Sequence, residues 1–208
     1  MLFLGVSVQL VKVADVCEGR GWPGHPIRGR IEESANGVPM VQLRDVNSHG
    51  GVDWGSVIKA DIERKRTERW LEDGDILFAA RGARLIATVV RGVAGPVLCS
   101  PHFFHLRVRS AIANPDFIAW QMNQGPFQSR IGRAAEGVTS STLRIADFRE
   151  IELALPSLEE QAAYASLYKA QLKERQVLED LINNREKEMR GLAVQLMRSA
   201  HLLSGVTR

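Results

Sequence analysis

The feature that most constrains this chain is a long segment near its C-terminal end. From Leu158 to Arg198 the sequence contains no proline and a single glycine, Gly191. Just before it, Ser157 and Glu160 have the spacing of a capping box, in which the serine caps the helix start and the glutamate reaches back. The sequence therefore predicts one continuous helix over residues 156–200, about 60 Å long at the usual rise per residue, with a tail at 201–208.

One face of this predicted helix is largely apolar. Positions spaced alternately by three and four residues form a coiled-coil seam with polar interruptions at Gln171, Arg175 and Arg185. The apolar and aromatic members of the seam are Tyr164, Tyr168, Leu178, Ile182, Met189, Leu192 and Leu196. A lone helix of this length has no core of its own, so the stripe needs a partner. We predict pairing with another long helix; the alternative is that the helix folds back on its own domain.

Residues 1–155 have a different, strand-rich character. Short apolar or alternating runs are separated by turn residues such as Asn36-Gly37 and Asp73-Gly74-Asp75. One helix is predicted to begin at Asn114-Pro115, where asparagine caps and proline takes the first position; a second covers 128–133, and 143–155 is predicted as a strand region. Strands around a few helices, without regular βαβ alternation, indicate an α+β domain over 1–155.

Composition excludes several classes of protein. With 208 residues, 45% hydrophobic and 25% charged, the chain is typical of a globular protein. It has no run of eighteen apolar residues, and two cysteines, Cys17 and Cys99, are too few for a disulfide framework. We expect a soluble, cytoplasmic protein that does not contact a membrane.

The positive charge is concentrated in one stretch. Between Ile76 and Ala135 there are seven arginines, no lysine and one acid, Asp116, which gives a net charge of +6. Arginine can hold phosphate or guanine with two parallel hydrogen bonds. The alternative is an ordinary solvated surface.

Two short loops add further candidates for binding DNA. A run of small hydroxylic residues lies between two arginines and suits close approach to a duplex, and an Arg-Asp-Val-Asn segment supplies side chains that read guanine and adenine. The predicted DNA-binding residues are Arg44, Asn47, Arg81, Arg84, Arg133, Thr139, Ser140, Ser141, Thr142 and Arg144.

No complete catalytic set is present. Asp53, Glu63 and Lys65 imitate the layout of a metal-dependent nuclease, but a highly charged segment meets this pattern by chance. Cys99, His102 and His105 offer three metal ligands without a fourth, so a structural role is favoured. Asn114-Pro115-Asp116-Phe117 resembles the amine-binding loop of amino-methyltransferases, but no Gly-rich turn precedes it, so a helix cap explains it better. We therefore predict a binding protein with no catalytic residues, no metal and no cofactor of its own.

The order of the motifs resembles one known family. The blocks, in chain order, are Val11–Gly19, Val38–Val46, Leu71–Gly82 with its Gly-Asp-Ile-Leu core, Asn114–Phe117, Gly137–Leu143 and Ile151–Gln161 with its Leu-Pro-x-x-x-Glu-Gln junction. Each block is modest alone, but six in this order, spanning nearly the whole chain, resemble the specificity subunit of type I restriction-modification systems.

The resemblance implies a β-rich target recognition domain followed by a conserved helix that pairs antiparallel with its counterpart. Such a subunit reads double-stranded DNA, docks a methyltransferase subunit that carries S-adenosylmethionine, and in some systems also a restriction subunit. Family members usually carry two recognition domains and two helices, whereas this sequence has one of each. It therefore implies a half-length form that homodimerises and reads a bipartite target.

Other hypotheses stay open at this point. The chain could join a full-length specificity subunit instead of a second copy of itself. The remaining alternatives are a metal-dependent nuclease and a purely structural coiled-coil dimerisation protein.

Overall fold

The computed structural model describes residues 8–18, 21–26, 33–46, 51–61, 69–81, 85–135 and 143–204, except for the side chains of 134, 135 and 200–204. In chain order the strands are β1 (Gln9–Lys12), β2 (Trp22–Pro23), β3 (Glu33–Val41), β4 (Ile58–Ala60), β5 (Ile76–Ala79), β6 (Ala87–Val89), β7 (Leu98–Cys99), β8 (Phe103–Leu106) and β9 (Glu152–Leu155). The helices are α1 (Val13–Val16), α2 (Pro115–Met122), α3 (Gly125–Ala135), α4 (Ile145–Arg149) and α5 (Leu158–Ser204), with a 3-10 turn at Leu43–Asp45. The predicted α+β class is confirmed.

Within the described residues the strands form three small sheets. The order β2-β8-β5-β6 makes an antiparallel sheet, β4-β3-β7 makes a mixed one, and β1 pairs with β9. The β1–β9 pair joins the beginning of the domain to the strand that precedes α5, with Gln9 opposite Leu155.

Strand β5 is buried on both of its faces. Ile76 and Phe78 belong to a core that also contains α2, α3 and α4, including a cluster in which the Phe78 and Phe148 ring centroids lie 4.6 Å apart. Leu77 and Ala79, on the opposite face, pack in a second core with β3 and β7. A strand covered on both sides is continuously apolar instead of alternating, as the Ile-Leu-Phe-Ala run is.

The predicted helix starts agree with the structure. The side-chain oxygen of Asn114 accepts hydrogen bonds from the backbone N–H groups of Asp116 at 3.0 Å and Phe117 at 3.3 Å, so the Asn-Pro motif is a helix cap. Glu160 N–H donates to Ser157 Oγ at 3.3 Å and Ser157 N–H donates to Glu160 Oε2 at 3.1 Å, which completes the capping box. Helix α5 continues to Ser204, beyond the predicted end at residue 200.

Two local predictions were wrong. Asn36-Gly37 does not form a turn but lies within β3, beside an irregularity in its pairing with β4. Residues 143–155 are not a continuous strand, because α4 precedes β9. Arg144 occupies the N-cap position of this short helix and forms an ion pair with Asp147 at 2.7 Å, and Phe148 is buried in the core.

The chain divides into two compact units, Met1–Tyr168 and Lys169–Arg208. The first unit therefore contains the beginning of α5, beyond the predicted boundary at residue 155. No helix in the described ranges combines the length and the apolar character needed to cross a membrane.

Candidate nucleic-acid interface

Three of the seven arginines between Ile76 and Ala135 are engaged in internal ion pairs. Arg91 bonds Asp116 at 2.9 Å, Arg130 approaches Glu152 at 3.5 Å and Arg107 bonds Asp75 at 2.9 Å. The concentration of positive charge is therefore partly structural, and these three side chains are not available as free DNA contacts.

A buried ionic cluster surrounds Asp75. His105 Nε2 lies 2.6 Å from Asp75 Oδ2, and Arg107 donates to both carboxylate oxygens at 2.9 Å. The backbone N–H of Glu72 also donates to Asp75 at 2.8 Å, while the Glu72 side chain pairs with Arg107 at 2.8 Å. Gly74 makes the preceding turn possible with a φ of 95°, which favours glycine. Burial alone would raise the pKa of Asp75, but the hydrogen bonds from Arg107 and His105 outweigh it and hold this pKa below its usual range.

The Cys99, His102 and His105 set does not form a metal site. His105 is committed to Asp75, and burial raises the pKa of the Cys99 thiol to about 12, so it stays protonated at neutral pH. Among the residues that the structure describes, no group of three or more His, Cys, Asp or Glu side chains could hold a metal ion.

Several predicted DNA-binding arginines are exposed. Arg81 follows β5, Arg133 lies near the end of α3, and neither has a carboxylate partner within the described ranges. Arg44 lies in the 3-10 turn, 3.6 Å from the buried Asp45, and Arg144 is paired with Asp147 at the start of α4. Among the described residues, Arg81 and Arg133 are therefore the predicted contacts whose guanidinium groups have no carboxylate partner and could bond to DNA.

The remaining predicted DNA-binding residues lie outside the part of the chain that the structure describes. Asn47, Arg84, Thr139, Ser140, Ser141 and Thr142 lie outside the described residues, and so do Glu63 and Lys65 of the nuclease hypothesis. The third member of that hypothesis, Asp53, accepts a hydrogen bond from the Gly55 N–H at 3.0 Å and shapes a turn. These DNA-binding assignments stay predictions.

A group of residues at the sheet edge formed by β2 was not predicted from the sequence. Arg69 lies over the Trp22 ring, with its Cζ 4.1 Å from the ring centroid, and Trp22 packs edge-on against His105. Arg149 of α4 donates to the Gly21 carbonyl at 2.6 Å. Arg69 and Arg149 lie outside the Ile76–Ala135 stretch, so counting charge in that stretch could not find them.

The start of α5 is fixed to its domain by one buried glutamine. Gln161 Oε1 accepts from the Asn114 N–H at 2.8 Å, and its Nε2 donates to the carbonyls of Ile112 at 3.1 Å and Pro156 at 2.8 Å. This explains the glutamine of the Leu-Pro-x-x-x-Glu-Gln junction: it satisfies three backbone groups at once. The residue is fully buried.

Replacing Gln161 with alanine is expected to lower the free energy of unfolding by about 2–3 kcal/mol, because three buried backbone groups lose their partner. Urea unfolding followed by circular dichroism measures the loss. Lys173→Ala, at an exposed position of the same helix that lies outside the seam, is the control and should change the value by less than about 0.5 kcal/mol. Equal effects of the two substitutions would contradict the role of Gln161.

The first two members of the predicted seam contact their own domain. Tyr164 stacks on Trp120 with a centroid distance of 5.2 Å, and Tyr168 Oη accepts a hydrogen bond from Asn123 Nδ2 at 3.1 Å. These tyrosines anchor α5 to its own N-terminal domain, so the part of the seam that is free to pair begins after Tyr168.

In the second unit, the apolar side chains of α5 are exposed. The predicted seam residues are exposed by 53% at Leu178, 58% at Ile182, 65% at Met189, 53% at Leu192 and 72% at Leu196. Other exposed apolar residues on this helix are Val177, Leu181, Val194 and Met197, of which Leu181 borders the seam. An apolar surface of this kind on a long helix indicates a protein contact.

Comparison with known proteins was made at the level of sequence and of fold. No family model and no curated protein matches the sequence. Solved structures do match. The HsdS subunit from Thermoanaerobacter tengcongensis aligns over 89% of this chain and 47% of its own, with 17% identity and a TM-score of 0.60. A chain from a structure of complex assembly and conformational transition in the type I R-M system covers 87% and 46%, at 18% identity and a TM-score of 0.65.

A third structure, the S subunit of the type I restriction-modification system from M. genitalium, aligns over 80% of this chain and 39% of its own, at 18% identity and a TM-score of 0.50. The resemblance that the motif order indicated is thus confirmed at the level of the fold. The chain spans less than half the length of these three structures.

Proposed function

We propose that this chain is a non-catalytic DNA specificity module that directs the methyltransferase subunit of a type I restriction-modification system to its target. The observation that carries the proposal is the fold shared with HsdS chains over 87–89% of this sequence. The exposed arginines Arg81 and Arg133 supply charge for phosphate contacts, and such binding weakens steeply with salt.

The length of this chain, compared with that of the HsdS structures, supports a homodimer. The chain covers less than half of each HsdS structure, and its one long helix exposes an apolar stripe after Tyr168. A second copy would provide a second recognition domain and a second helix. Two-fold symmetry would then place two identical DNA-reading surfaces on a bipartite, symmetric target.

The charges along α5 favour an antiparallel pair. Its first turn carries Glu159 and Glu160, whereas the segment near its other end has four basic residues, Arg185, Lys187, Arg190 and Arg198, and two acids, Glu186 and Glu188. Antiparallel pairing would bring the acidic start of each helix near the basic end of the other. This orientation agrees with the arrangement that the family resemblance implies.

The partner subunits complete the proposed assembly. S-adenosylmethionine and the methyl-transfer chemistry would belong to the methyltransferase subunit, and a restriction subunit would join in systems that carry one. Neither alternative function is favoured by an observation: Asp53 shapes a turn, and a purely structural protein would not need arginines without a partner on its recognition domain.

The decisive experiment maps methylated bases in DNA from cells that express this chain with a methyltransferase subunit encoded beside it. We expect methylation at one bipartite sequence with symmetric halves. A strain with the methyltransferase subunit alone is the control and should show none. Identical methylation in both strains, or none in either, would contradict the proposed function.

A further inference from the structure

The backbone of the two-residue edge strand β2 is fixed by its contacts with neighbouring segments of the sheet. Trp22 and Pro23 pair with β8 opposite His105 and Phe104. The Gly24 N–H donates to the Phe103 carbonyl at 2.8 Å. A Cβ atom on Gly24 would lie 1.9 Å from the Ser100 carbonyl oxygen, so only glycine fits there. The strand therefore presents Trp22 from a rigid backbone.

The Trp22 ring packs against His105, a member of the ionic cluster around Asp75. It packs on His105 at a centroid distance of 5.4 Å and an interplanar angle of 62°. His105 is in turn bonded to Asp75, which is held by Arg107. The ring orientation thus depends on three side chains that lie inside the domain, and the ring remains half-buried with an accessible face.

The guanidinium of Arg69 lies over the accessible face of the Trp22 ring. Its guanidinium carbon lies 4.1 Å from the Trp22 centroid, within the range of a cation–π contact. The side chain is exposed, and within the described ranges it has no hydrogen-bond acceptor and no carboxylate. This contact holds the guanidinium over the ring without a hydrogen bond from its N–H groups to any described residue, so the donors remain available to a phosphate.

Further positive charge surrounds this edge. Arg149 donates to the carbonyl of Gly21, next to Trp22, and the positive charges of Arg109 and Arg149 both act on the buried Cys17, five residues before Trp22 in the chain. Arg109 is exposed and lacks an ion-pair partner among the described residues. The acids of this region are Glu18, Glu72 and Asp75, of which Glu72 and Asp75 are paired with Arg107 and His105. The local field at Arg69 therefore favours an anionic ligand.

We propose that Arg69 contacts a phosphate of the DNA backbone and that Trp22 is a positioning residue that orients the Arg69 guanidinium. The inference rests on the proposed function and names one contact of its DNA-binding surface. A phosphate contact of this kind fixes the register of the protein on the duplex and is independent of base sequence.

The test measures binding of the full-length chain to a random-sequence duplex of about 40 base pairs, by fluorescence anisotropy over a series of salt concentrations. We expect Arg69→Ala to weaken binding about tenfold at low salt and to reduce the slope of log K against log salt by about one. Lys173→Ala removes one positive charge from an exposed position on α5 that belongs neither to the seam nor to the charges invoked for helix pairing, and it is the control.

A double-mutant cycle tests the role of Trp22. If Trp22 acts through Arg69, Trp22→Ala should weaken binding about as much as Arg69→Ala, and the double variant should be no weaker than either. Trp22→Phe keeps an aromatic face and should restore most of the affinity. Thermal unfolding of each variant separates a binding defect from a folding defect.

The outcomes are distinguishable. If the wild-type chain shows no salt-dependent binding to the duplex, the proposed function fails. If the wild type binds but Arg69→Ala matches Lys173→Ala in affinity and salt slope, the proposed function stands and the Arg69 contact is overturned. Additive losses for Trp22→Ala and Arg69→Ala would overturn the positioning role of Trp22.

Discussion

Replacing Asp75 with alanine is expected to lower the free energy of unfolding by about 3–5 kcal/mol, the usual cost of removing one partner from a buried ion pair. Asp75 is 1% exposed and neutralises Arg107 while bonding His105. Without it, the buried His105 would lose its partner, and among the described residues Arg107 would keep only Glu72 and the Trp70 carbonyl. Urea unfolding of the full chain at one fixed protein concentration measures the loss.

The same turn provides a matched control. Asp73 is two residues away and exposed, and its Oδ1 accepts one hydrogen bond from the Val93 N–H at 2.8 Å. Asp73→Ala should therefore cost about 1 kcal/mol or less. If Asp75→Ala were no more destabilising than Asp73→Ala, the cluster would not be a principal source of stability in this domain.

The pH dependence of this effect has a definite sign. Because the pKa of Asp75 is lowered in the folded protein, its stabilising contribution is fully present above the unfolded-state pKa of about 4 and is lost as the pH falls through the folded value. The difference in stability between the wild type and Asp75→Asn should therefore be constant above about pH 5 and shrink in more acidic solution. A difference that grew on acidification would contradict this account.

Replacing Ile182 with lysine is expected to convert the proposed homodimer into a monomer. Ile182 is 58% exposed in the single chain and lies in the middle of the apolar stripe on α5. In an antiparallel pair with its centre at this position, two lysines would face each other across a desolvated seam, where like charges are strongly unfavourable. Light scattering should show the mass fall from twice the chain mass to the chain mass, 23.1 kDa.

Asn184→Lys adds the same charge to the opposite face of the helix, about 200° away, and should leave the mass unchanged. A wild-type chain that is already monomeric at micromolar concentration would contradict the homodimer and favour pairing with a full-length specificity subunit instead. Equal masses for the wild type and Ile182→Lys would place the dimer contact elsewhere.

Sequence motifs predicted correctly the elements that depend on contacts between residues close together in the chain. The Asn114 cap and the capping box at Ser157 each use atoms within three residues of one another, so the sequence contains all the information needed. The prediction at Asn36-Gly37 failed because the determining contact is distant. A Cβ atom at Gly37 would lie 2.5 Å from the Ala60 carbonyl oxygen, so this glycine allows β3 and β4 to approach closely instead of forming a turn.

The candidate interface was predicted less completely than the fold. Exposed arginines such as Arg81 can be inferred from charge, but whether an arginine is free or paired depends on carboxylates elsewhere in the chain, as with Arg107 and Asp75. The Trp22–Arg69 pair joins two segments that β2 and its neighbours bring together only in the folded protein. The spacing of apolar residues along the sequence contains no information about such a contact.

The two cysteines have a practical consequence for studying this chain. Cys17 and Cys99 are both buried, and burial raises the pKa of each thiol to about 12. At pH 7 only about one thiol in 10⁵ is then the reactive thiolate. A single cysteine introduced on an exposed surface can therefore be labelled selectively without removing the native ones. Fluorescent or spin labels on α5 and near Trp22 would allow subunit pairing and DNA engagement to be followed in one otherwise unaltered protein.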